Sequence, residues 1–175
     1  MPPPKRLSSL FWFLLFLNVL FIVGVNYFLA PLTSSDVVQF ETAKYVGKAQ
    51  AVIDDWSASG KLELAKISIW VDYVFIVLYV AGLMVAAMFI ADATRYPLLM
   101  RSGRFFRWLI PAAGICDVFE NISMQQSLLS HPTRFSVMFA YDMAMGKFSI
   151  LIVTLLFITL CFLFWILRKL FPAVA

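Results

Sequence analysis

Four stretches of the chain are apolar enough over a sufficient length to qualify as spans: Leu10 to Ala30, Trp70 to Ala91, Leu109 to Leu129, and Val137 to Leu167. A helix needs about 20 such residues to cross a bilayer, so the pattern predicts four membrane spans, about 10–30, 70–91, 109–129 and 137–167. The last is long enough to tilt or to project beyond the bilayer. The third is the least apolar of the four.

Between the first two spans, "DVVQFETAKYVGKAQAVIDDWSASG" follows a different rule. Val38, Tyr45, Ala49, Val52 and Trp56 recur at helical spacing, opposite Glu41, Lys44, Lys48 and Asp55. This predicts one amphipathic helix over about 35–58, on the membrane surface or covering the mouth of the bundle as a lid, with Gly60 as its stop.

Composition agrees with the pattern: 62% of residues are hydrophobic and 14% charged, whereas soluble domains run about 45 to 50% apolar and about 25% charged. The expected fold is an all-α integral membrane protein, a four-helix transmembrane bundle with an amphipathic helix in its first extracytoplasmic loop. The 175 residues suit one such domain, 1–175. Lys5 and Arg6 ahead of an apolar run ending in "FLAP" resemble a signal peptide. That run is too long for an ordinary signal core, however, and Phe28 and Pro31 suit a cleavage point poorly, so the helix is expected to be retained.

Basic residues set orientation, since short connections rich in Lys and Arg stay in the cytoplasm. Lys5 and Arg6, then Arg95, Arg101, Arg104 and Arg107, then Arg168 and Lys169 fall on one side of a four-span chain. On the other side, Lys44, Lys48, Lys61 and Lys66 are balanced by Asp36, Glu41, Asp54, Asp55 and Glu63. Both termini are therefore expected in the cytoplasm, with the chain in the plasma (inner) membrane. The net charge of +4 comes largely from these topology-setting patches. It implies membrane lipids as partners, with a membrane-protein partner or a homo-oligomer as a further expectation, and it does not imply nucleic acid.

Chemistry concentrates in "GICDVFENISM", residues 114–124. Asp117, Glu120, Asn121 and Met124 share one helix face inside an apolar span. At about 1.5 Å of rise per residue, they lie at or beyond the midplane, toward the outer leaflet. Asp72 stands near the start of the second span with Tyr79 two turns deeper, and Asp142 lies two turns into the fourth with Lys147 beyond it. Side chains from three helices thus share one depth. Ionisable groups in a bilayer cost a few kcal/mol each and normally face a bundle interior or a cavity. The candidate ligand-binding residues are accordingly Asp72, Tyr79, Asp117, Glu120, Asn121, Asp142 and Lys147, with Asp72, Tyr79 and Asp142 on the outer rim. Four carboxylates around one lysine leave an excess of negative charge. The competing structural reading is a Lys147 bridge to Asp117 or Glu120 that pins helices together without a ligand.

Other features carry less. Cys116 and Cys161 sit apart within apolar runs and have no metal or redox spacing, and His131 alone cannot supply the imidazoles of a zinc site. No metal site or cofactor is marked. The "NIS" triplet at Asn121 lies inside a span and is a poor glycosylation acceptor. Gly82 and Ala86, and Ala140 and Ala144, have spacing that lets helices approach closely, and Asn18 suits an interhelical hydrogen bond.

Three functions fit these residues. The first is a binding or accessory protein whose acidic pocket holds a lipid headgroup, a cation or a polar small molecule. The second is an intramembrane enzyme with Glu120 or Asp117 as general acid or base on a lipid and Lys147 stabilising developing negative charge. The third, a proton or cation carrier, is weakened by "ILIVTLLFITLCFLFWIL", which offers no polar path through the cytoplasmic half.

Overall fold

The computed structural model describes residues 5–171, and these are helical with short connections. Six helices follow in order: α1 (Lys5–Phe28), α2 (Ser34–Glu41), α3 (Val46–Ala58), α4 (Leu62–Thr94), α5 (Pro97–Leu129) and α6 (Arg134–Leu170). Among the described residues, α1, α4 and α6 are long and apolar enough to cross a membrane. The chain is a helical membrane protein. α4, α5 and α6 overrun the apolar stretches that announced them; in α4, polar residues such as Glu63 and Lys66 continue the helix beyond its apolar run. The 33 residues of α4, at about 1.5 Å each, exceed a hydrocarbon core of about 30 Å.

Local chemistry sets the ends. Arg95 takes a left-handed backbone (φ 56°) that stops α4, and Pro97 then opens α5 at a position where its missing N–H costs nothing. Thr133 begins α6 with a capping box: its hydroxyl accepts from the Ser136 amide and its own amide donates to the Ser136 hydroxyl, both at 3.1 Å. Ser136 also meets Ser127 of α5 at 2.9 Å, which ties the α5–α6 turn across the helix pair.

The expected single helix over 35–58 is in fact two. Residues 42–45 leave the helical path between α2 and α3, with the Thr42 hydroxyl donating back to the Val38 carbonyl at 2.7 Å. The break changes the phase of the two pieces. Phe40 of α2 and Trp56 of α3 can then face each other, 5.2 Å between ring centroids, over one core. The apolar stripe divides accordingly: Ala49, Val52 and Trp56 are buried while Val38 and Tyr45 are exposed. Asp36 fixes the start of α2. It accepts from the Thr33 amide at 2.9 Å and from Lys61, just ahead of α4, at 3.1 Å, and these contacts hold its carboxyl below the ordinary range.

Two apolar clusters stack along the helices. The first joins Phe40, Ala49, Val52 and Trp56 to Ala65 and Ile69 of α4, Met124 of α5, and Val137 and Ala140 of α6. The second gathers Ala87, Ala91, Leu99, Phe106, Ile110, Phe157 and Cys161 near the other end. The stretches of α4, α5 and α6 between them carry the buried polar side chains described below.

α1 stands to one side. It is held to α4 by the Asn18 side-chain amide, which donates to the Leu78 carbonyl at 3.1 Å, and by two ring stacks, Phe11–Phe89 at 4.7 Å and Phe21–Phe75 at 5.8 Å. At the second cluster α4 and α5 nearly touch: a methyl group on Gly103 would lie 2.7 Å from the Ala91 Cβ and 3.1 Å from the Ala87 carbonyl oxygen. Gly103→Val is therefore expected to force α4 and α5 apart and cost about 1–3 kcal/mol by overpacking. Gly24→Ala, where a methyl group meets nothing within 4 Å, should leave the thermal melt unchanged or slightly raised. Equal melting of the two variants in one detergent would contradict this packing.

Candidate functional site

The α6 stripe Ala140, Ala144 and Lys147 recurs at intervals of four and three residues and faces the bundle. Lys147 is its polar member and is itself buried. Its ammonium donates to Asp117 Oδ1 at 2.9 Å and lies 2.8 Å from Glu120 Oε2, so two carboxylates one helical turn apart on α5 grip one cation. The Glu120 contact is an ion pair without hydrogen-bond alignment. Both Glu120 oxygens are buried and lack a hydrogen-bond donor, in a side chain with no exposure at all.

The other Asp117 oxygen accepts from the Tyr79 hydroxyl of α4 at 2.9 Å. Asp117 thus joins α4, α5 and α6 through one carboxylate. One turn further along α5, the Asn121 amide donates to Asp72 Oδ2 of α4 at 2.7 Å. Tyr79 belongs to the heart of this cluster rather than to its rim, while half-buried Asp72 lies nearer the α2–α3 cap.

Asp142 is a correction. It is exposed and takes no part in the cluster. The reason is helical phase: Ala140, Ala144 and Lys147 form the inward stripe, and residue 142 falls between its turns on the opposite side.

Sequence reasoning missed Glu41. Its carboxylate reaches 3.6 Å from the Lys147 ammonium and is only 12% exposed, so the last residue of α2 closes the cluster from outside the long helices. A single continuous helix over 35–58 puts Glu41 on the solvent face. The available signal was Phe40, a large apolar residue on that supposedly polar face, which calls for a separate phase for α2. Burial pushes the Glu41 carboxyl above its ordinary value of 4.5, against the opposing attraction of Lys147.

Beside the cluster a cavity of about 650 Å³ opens between α1 and the rest of the bundle. Glu41, Asp72, Asp117, Asn121 and Lys147 line one end of it, and its walls continue along Phe21, Phe75, Leu151 and Leu155 as far as Phe11 and Ala86. From Asp72 to Ala86 is about 21 Å of helix rise. Glu120 is not among the lining residues. Neither Cys116 nor Cys161 joins the cluster, and among the described residues no group of His, Cys, Asp and Glu has the arrangement of a metal site. Buried Asn121, held by Asp72, is an inaccessible sequon. No protein-family model, curated protein or solved structure matches this chain.

The position of Glu41 couples the docking of α2 to pH. An acid whose carboxyl is raised in the docked state binds its proton more tightly there than in water, so docking takes up a proton. Docking should weaken as pH rises from 4.5 toward the raised value and then level off. The facing charges are Lys147 on α6 and Asp117 and Glu120 on α5. A spin label at Val38→Cys, on a background of Cys116→Ala and Cys161→Ala, should grow more mobile with rising pH, and Glu41→Gln should flatten that response. Mobility independent of pH in the parent chain, or unaltered by Glu41→Gln, would contradict it.

Proposed function

We propose that this chain is a four-span membrane protein that binds an amphiphilic molecule, acting as a binding or accessory protein. The polar head of that molecule settles in the acidic end of the 650 Å³ cavity and its hydrocarbon chain lies along the apolar walls. The carrying observation is the shape of that cavity: a charged end and a long apolar body in one continuous space.

α5 completes the four spans in this reading. At 33 residues it is as long as α4, and it is joined to α4 and α6 by short turns. Its hydropathy is lowered by Arg101, Arg104 and Arg107 in its first third and, deeper in, by polar residues turned inward, Asp117, Glu120, Asn121, Ser123 and Ser127, while Ile115, Phe119, Ile122 and Leu129 are exposed. The basic residues at 95–107 and 168–169 favour the end away from α2 and α3 as cytoplasmic.

Charge narrows the head. Glu41, Asp72 and Asp117 line the cavity with Lys147 as the basic residue among them, and Glu120 already engages that lysine from behind. A head that brings hydrogen-bond donors or a positive charge, such as an amine or a polyol, complements the surplus of carboxylate. Pockets for such ligands are concave and mostly apolar with a few converging polar groups, in the size range of about 300–1,000 Å³. Catalysis is the second reading, and Asp117 is its candidate because it reaches the cavity while Glu120 does not.

The test is native mass spectrometry of protein extracted with its surrounding lipid. The parent chain should retain one class of amphiphile. Asp72→Asn, which keeps the side-chain shape, and Leu151→Trp, which fills the groove, should each lower retention at least about tenfold, the equivalent of about 1.4 kcal/mol, with little change in melting. The same lipid complement in all three proteins would contradict the proposal. A chemically altered lipid accumulating with the parent chain and absent with Asp117→Asn would favour the enzyme.

A further inference from the structure

Another cavity lies at the other end of the helices. It has a volume of about 500 Å³ and opens between α1, α4 and α6, walled by Phe11, Trp12, Phe89, Phe162 and Trp165. Phe11 and Ala86 border both cavities, and the Phe11–Phe89 stack at 4.7 Å stands at the divide. The two spaces have opposite electrostatic character. The first is lined by carboxylates; the charged residue lining the second is Arg95.

Arg95 is available to a ligand. Its left-handed backbone ends α4 and leaves the residue exposed, and among the described residues its side chain has no ion pair or hydrogen bond. The neighbouring cations are arranged differently. Arg168 donates to the Thr94 carbonyl at 2.8 Å and so closes the end of α4, and Lys169 lies 4.1 Å over the Trp165 ring at the cavity wall. Arg95 is thus an unpaired guanidinium beside an aromatic crevice, with a second cation at the margin and no carboxylate in the lining.

We infer that this crevice is a separate site for a phospholipid with an anionic headgroup. Guanidinium binds phosphate through paired N–H donors, and aromatic rings are well suited to the boundary between headgroups and acyl chains. A zwitterionic head would bring an amine that finds no acceptor carboxylate among the lining side chains, so the site discriminates by net charge. Apart from Phe11 and Ala86 the two cavities share no lining residue, and Arg95 belongs to the second alone.

Trp12 and Trp165 make the site observable by fluorescence. With Trp70 and Trp108 changed to Phe, Trp56 remains as a fully buried reference, and quenching by lipids brominated on the acyl chain reports occupancy of the crevice. In micelles, brominated phosphatidylglycerol should quench with about fivefold higher relative affinity than brominated phosphatidylcholine, the factor expected for one basic residue near a lipid surface. Arg95→Asn should abolish that preference, and it keeps the fold because Asn accepts a left-handed backbone readily. Ala93→Leu, which fills the crevice with Arg95 intact, should abolish it too. Arg104→Asn, an exposed arginine outside the lining, should leave it in place.

Equal quenching by the two lipids in the parent protein overturns the inference, as does a preference that survives both Arg95→Asn and Ala93→Leu. An equal loss on Arg104→Asn reduces the effect to general surface charge and also overturns it. Displacement of the brominated lipid by millimolar inorganic phosphate would mean that the site takes free phosphate rather than lipid, and that too overturns the inference.

Discussion

One buried cation organises this molecule. Lys147 is placed among apolar helices, where an uncompensated charge is strongly disfavoured, and its ammonium is satisfied at 2.9 Å by Asp117 and at 2.8 Å by Glu120. Once that pairing exists, much of the remaining architecture is constrained. α5 must present its Asp117–Glu120 face to α6, and Tyr79 of α4 must supply a donor to the second Asp117 oxygen. Replacing a whole buried ion pair with apolar groups is often neutral, whereas removing one partner costs about 3–5 kcal/mol. The pairing therefore specifies which faces meet more than it adds net stability.

The two apolar clusters and the divided cap follow from that constraint. One cluster seals the polar layer from the α2–α3 side and the other from the basic end. The break at residues 42–45 lets α2 bring Phe40 into the first cluster and Glu41 to within 3.6 Å of Lys147 in consecutive positions. α1, held to α4 by the interhelical hydrogen bond from the Asn18 amide and two ring stacks, leaves the lateral space into which both cavities open. A polar cluster built for bridging alone has no need of such a space. That juxtaposition is the ground on which we propose binding rather than a purely structural role.

Much of this was legible in the chain itself. The helical class and three of the long apolar segments followed from hydropathy, and the shared depth of Tyr79, Asp117, Glu120 and Lys147 followed from helical rise. The partners could not follow. Nothing in the sequence distinguishes Asp142 from Asp72 until the inward stripe of α6 is known, because phase is set by packing against α4 and α5. Glu41 was hidden for a related reason: a periodicity laid across 35–58 assumes one continuous helix, and only the demand of Phe40 for the core reveals two. The ends of the long helices were also invisible to hydropathy, since helix continues into residues such as Glu63 and Lys66 that an apolar count excludes.

Lys147 and Asp117, 2.9 Å apart, act as a coupled pair holding α5 to α6. A double-mutant cycle on Lys147→Met and Asp117→Asn, read by equilibrium unfolding in one detergent, tests it most directly. Lys147→Met alone should cost about 3–5 kcal/mol, because it strands buried carboxylates. The double variant should be more stable than the sum of the single effects implies, by about 1–3 kcal/mol, as required of side chains in direct contact. Strictly additive costs, or a Lys147→Met protein as stable as its parent, would contradict the account.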